Sequence, residues 1–131
     1  MKRTLALFVI LVGIAAMVSG VRAYAHHRFA ETYAEDKQIT IEGNVVQWEY
    51  RNPHSFVHVI APDERHRPQR WIVEFRGAAQ LSRHGVTPET LKPGQRVIIT
   101  GSPGRVTADH RLRLRAIVRP QDGWRWSEPA G

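Results

Sequence analysis

The chain has 131 residues, a formal net charge of +7, 42% hydrophobic residues and no cysteine. That length suits one domain with one core, and the missing cysteines exclude disulfide staples, thiolate metal sites and thiol nucleophiles. Residues 1–25 hold three of the 19 basic residues (Lys2, Arg3, Arg22) and none of the 12 acids, so the remaining 106 residues carry only +4. So mild an excess does not argue for nucleic acid.

Met1-Lys2-Arg3 is a basic opening, Leu5 to Val18 an apolar run, and Ala23-Tyr24-Ala25 an A-x-A cleavage pattern. Together they predict a secretory signal peptide over 1–25. The uncharged run from Thr4 to Val21 also just reaches spanning length, so an uncleaved anchor is the alternative. Small residues at the end of the run favour cleavage. With no cysteine for lipid attachment, the expected product is a soluble periplasmic protein with no stable membrane insertion.

Residues 26–37 show no period and read as an N-terminal arm carrying Phe29 and Tyr33. A barrel domain is expected over 38–119 and a tail without period over 120–131. Ile39, Ile41, Val45, Val46, Trp48 and Tyr50 are strand formers whose alternation changes phase near Gly43-Asn44, where a bulge is predicted. Asn52-Pro53 then forces a reversal, because proline fixes φ and keeps the residue before it out of the helical region. That sets His54 at the end of a rigid turn. In the second strand Val57 and Val59 share one face, and His54, Phe56 and His58 the other.

Trp71, Val73 and Phe75 alternate with Ile72 and Glu74 in a third strand. Residues 76–84 read as a short helix ending at Gly85, and Thr87-Pro88-Glu89 as a second helical start. Arg96 to Thr100 is a fourth strand. Arg111 to Arg119 is a fifth, with Leu112, Leu114, Ala116 and Val118 on one face. Strand, strand, strand, helix, strand, strand is the order of the OB-fold, so the expected class is all-β with one short helix, a small five-stranded Greek-key barrel. The alternative is a five-stranded β-sandwich.

Seven histidines and no cysteine make any metal site nitrogen-rich, which suits copper or zinc. Cleavage after Ala25 would make His26 the N-terminus, whose amine and imidazole can chelate one ion while His27 or His54 adds a third nitrogen. Cleavage after Ala23 instead puts histidine third from the amine, also a copper(II) arrangement. The plainer reading is that His26 and His27 are ordinary residues on the arm. His54 and His58 lie about 13 Å apart at strand rise and cannot share an ion. His66, His84 and His110 read as solvated loop histidines. No Gly-x-Ser-x-Gly and no paired carboxylates at short spacing occur, and Glu42, Glu49 and Glu74 read as single positions on solvated faces, so binding is expected rather than catalysis. Arg111, Arg113, Arg115 and Arg119 form a basic row on the outer face of the last strand, of which the first three are the binding candidates; the row either contacts an anionic envelope component or protects a sheet edge.

Ala25-His26-His27-Arg28-Phe29 after the leader, Asn52-Pro53-His54, the Trp71/Glu74 strand, Leu91-Lys92-Pro93-Gly94, and Gly101 with Pro103 resemble a group of small exported bacterial proteins whose domain has no assigned function. That group commonly has serine where Arg28 stands. The resemblance implies export and one small β domain, and it singles out His26, His27, Asn52, Pro53 and His54. The expectation is an exported binding protein with copper held by His26, His27 and His54; the alternative is a metal-free module for a periplasmic protein or envelope component, using Asn52 or the arginine row.

Overall fold

The run of β-branched and aromatic residues from Ile39 is too long to stay flat, and the way it bends sets the architecture. The computed structural model describes residues 1 and 29–129, and the chain divides into a unit ending at Thr32 and a second unit from Tyr33. In the first unit residues 29–32 form a helical turn; everything below concerns the second. The leader predicted over 1–25, and His26 and His27, lie outside the described residues.

Strand β1 (Ile39–Glu49) pairs antiparallel with β4 (Arg96–Pro103) over residues 39–44, and with β2 (Phe56–Pro62) over residues 44–49. The change of partner comes with a bulge between Val45 and Gln47, two residues beyond the predicted place. Gly43 is needed for another reason. A Cβ there would stand 2.1 Å from the Ile60 carbonyl oxygen, so the corner closes only on a residue without a side chain.

Strand β3 (Pro68–Glu74) pairs with β2 and, in parallel, with β5 (Arg111–Arg119), which also flanks β4. That parallel pairing closes β1 to β5 into a five-stranded barrel in the expected OB-like order, and it rules out an open sandwich. Helix α1 (Ala78–Leu81) lies between β3 and β4 and runs into a 3-10 turn, with Gly85 left-handed after it at φ 74°. Val57, Val59, Val73, Leu81, Val97, Ile99, Leu112, Leu114 and Ile117 are all at most 1% exposed and fill the interior. With no disulfide available, this core carries the stability.

Four expectations are corrected. Residues 120–131 hold a sixth strand, β6 (Trp124–Ser127), paired with β5, with Trp126 stacked on Phe75 at 6.0 Å. The inward face of β5 is Leu112, Leu114 and Ile117, not Ala116 and Val118, because a register shift opposite Thr100/Gly101 resets the alternation. With β3, β4 and β6 as neighbours, β5 is no edge, so its arginines are not edge protection. Thr87-Pro88-Glu89 is a turn held by Thr87 and Thr90, whose hydroxyls accept from nearby amides, and no helix starts there.

Candidate functional site

The turn between β1 and β2 is clamped from both sides. Ser55, fully buried, accepts from the Arg51 amide through Oγ at 3.1 Å, and its backbone continues the pairing with the end of β3 through Phe75 and Arg76. On the other side Asn52 Oδ1 accepts from the Ala79 amide at 3.0 Å and the Arg51 carbonyl from Ala78, so the turn caps the start of α1. A Cβ on Gly77 would stand 2.4 Å from the Pro53 carbonyl oxygen. Asn52 thus has a structural partner, and His54 is fixed in place by its neighbours.

Register decides what His54 meets. Phe56 pairs with Glu74, so the outward side chain of Glu74 lies beside the turn, and His54 Nδ1 stands 2.5 Å from Glu74 Oε1. Two lone pairs cannot approach so closely, so a contact of this length needs a proton between the two atoms. The other carboxylate oxygen accepts from the Tyr33 hydroxyl at 2.5 Å, with Arg111 Nη2 at 4.0 Å. Burial first, and then this hydrogen bond to Glu74, hold the Tyr33 hydroxyl well above the usual phenol range. Glu74 is only 12% exposed. It is a hub joining the arm, the turn and β5, and not the solvated strand position expected.

His58 has its own carboxylate. Arg70 Nε donates to His58 Nδ1 at 3.3 Å, so the proton sits on Nε2, 2.7 Å from Glu49 Oε1. Both nitrogens of His58 therefore have protein partners. His66 and His84 lie in a loop and a 3-10 turn as expected, whereas His110 stacks edge-on against Trp71 at 5.1 Å and is half-buried. Among the described residues no three His, Asp or Glu side chains converge as a metal-binding group.

The arginine row turns to internal partners. Arg113 Nη1 meets Glu35 Oε1 at 2.6 Å, Arg115 Nε donates to Ser102 Oγ at 3.2 Å, and Arg111 leans on Glu74. Sequence reasoning found His54 and Asn52 but missed Glu74, Tyr33 and Glu35. For Glu74 the signal was the β2–β3 register, which composition does not contain.

The model of a family of unknown function, DUF6152, matches residues 15–113, well over half of the chain. The chain belongs to that family. Its match runs through the Asn-Pro-His turn and Glu74 to the first arginines of β5, so the candidate residues of this DUF6152 member fall within the matched span. No curated protein matches the chain. Among solved structures, a mitochondrial single-stranded DNA binding protein from S. cerevisiae is similar with a TM-score of 0.47 and 10% identity, over 63% of this chain and 92% of that one. Among the described residues no helix is long and apolar enough to cross a membrane.

Proposed function

We propose that this protein is exported to the periplasm, loses residues 1–25, and binds copper(II) through the His26 amine and imidazole together with His54, with His27 close by. The observation that supports this is the shared carboxylate: Glu74 holds Tyr33 of the arm and His54 of the turn at once. A ligating imidazole commonly donates its second N–H to a carboxylate, which fixes the ring and raises the basicity of the ligating nitrogen. The Nδ1 contact of His54 has that form, and the proposal accordingly assigns ligation to Nε2.

Nitrogen ligation of this kind favours copper(II) over zinc. The protein would then act as a binder and not an enzyme, with no nucleic acid among its partners. The rival use of Arg111, Arg113 and Arg115 on an anionic envelope component has less support, since all three guanidiniums already face protein groups. Intact mass and metal content of protein recovered from the cell envelope, followed by copper(II) titration, test the proposal. Binding should be tighter than micromolar, weaken as pH falls through about 6, and drop at least tenfold in His54→Ala and in a form with one residue added before His26. Millimolar affinity, or equal affinity after replacing both His26 and His27, would overturn it. If Tyr24 proves to be the first residue, His26→Ala alone should matter and His54 should be silent.

A further inference from the structure

One end of the barrel holds a groove of about 810 Å³ between the start of β1, the β2–β3 loop and the β4–β5 loop, remote in sequence from the Asn-Pro-His turn. Its volume falls within the range of ligand clefts, about 300–1,000 Å³. Along one wall run residues of β1 that, among the described residues, pair only with β4, since the pairing with β2 begins at Asn44. Residues 39–42 therefore present a strand edge about 13 Å long inside a concave surface. The floor is apolar, with Ile41 and Trp71 nearly buried, and Val106 stands 60% exposed at the rim.

The charges around this edge are one-sided. Asp63 is tied to Arg67 by both its side chain and its amide, which leaves Glu64 as the other acid of the groove against Lys37 and Arg65. Arg111 stands on the same lining but leans on Glu74, 4.0 Å away. A small anion would answer the charge alone. An extended acidic chain answers the charge, the apolar floor and the row of backbone groups together.

We propose that this groove docks an extended acidic peptide segment of a partner protein, which adds as a strand to residues 39–42 and lays alternate apolar side chains toward Trp71 and Val106. The proposal does not depend on copper.

The test pans a random nonapeptide phage library on the purified protein and follows the selected peptides by amide chemical shifts of the isotope-labelled protein. Selected sequences should be acidic with alternating apolar residues and no central proline, and should shift the amides of residues 39–42. Lys37→Glu with Arg65→Glu should weaken binding at least tenfold, while Arg83→Glu, on the 3-10 turn after α1, should leave it unchanged. No enrichment, selection of basic sequences, or binding that leaves residues 39–42 unshifted would overturn the proposal. So would displacement of the peptide by inorganic phosphate at equal molar concentration, which would reduce the groove to a small-anion site.

Discussion

Both oxygens of Glu74 are occupied, one by His54 and one by Tyr33, and this makes two otherwise separate stretches of chain depend on one side chain. The Tyr33 hydroxyl is raised by burial and, secondly, by the carboxylate it donates to. Tyr33 accordingly contributes stability in full below the unfolded phenol value of about 10, and that contribution is lost as pH rises through the higher folded value. Glu74→Gln keeps an acceptor and removes the charge. Its phenolate absorbance, taken as a difference from Tyr33→Phe, should move to lower pH and still stay above 10, because burial is the larger cause. Coincident titrations in the wild type and Glu74→Gln would detach Tyr33 from the carboxylate. Two glycines make a second test at this scale. Gly43→Ala and Gly77→Ala each drive a methyl into backbone, at 2.1 and 2.4 Å, and should cost about 1–3 kcal/mol by urea unfolding. Changes within about 0.5 kcal/mol, the range of ordinary surface substitutions, would show that these close approaches are not required.

Single strands were readable because their alternation is local: Trp71, Val73 and Phe75 face inward as their pattern predicts. The misreadings fall where one element depends on another. β5 breaks phase after Leu114 because its register shifts there against β4, and β6 itself rests on Trp126 finding Phe75 rather than on any period of its own. Trp126→Ala should therefore cost about 1–2 kcal/mol, from the lost stack and its burial, and should speed amide exchange along residues 116–119 of β5. Unchanged exchange there would mean that β6 adds nothing to β5. The β2–β3 loop offers a pH test. Asp63 is lowered from 3.8 to about 2, first by the amide of Arg67 and then by its other partners. Its contribution is present above pH 3.8 and disappears as pH falls through about 2. Carboxyl carbon shifts of Asp63 should titrate near 2, and Asp63→Asn should remove the acid-dependent loss of exchange protection in the loop, measured against the intrinsic rates; a midpoint near the ordinary 3.8 would contradict the assigned bonds.

For the whole molecule, the order of elements was enough to read a five-stranded barrel, because a strand count and one helix between the third and fourth strands leave few topologies. The seam that closes it was not legible, since Val73 meets Leu112 in a parallel pairing between residues far apart in sequence. The candidate site divides the same way. His54 was visible from the Asn-Pro turn, whereas its partnership with Glu74 needed the register that pairs Phe56 with Glu74. In the proposed function this partnership prepares His54 Nε2 to ligate copper(II) alongside the arm, and everything else in the copper proposal hangs on that step. Pulsed electron paramagnetic resonance of one equivalent of copper(II) on processed protein, comparing wild type with His54→Ala, examines it at the atom concerned. A remote imidazole nitrogen signal from His54 should be present in the wild type and lost in the variant while the His26 signal remains; identical spectra from the two proteins would contradict the assignment.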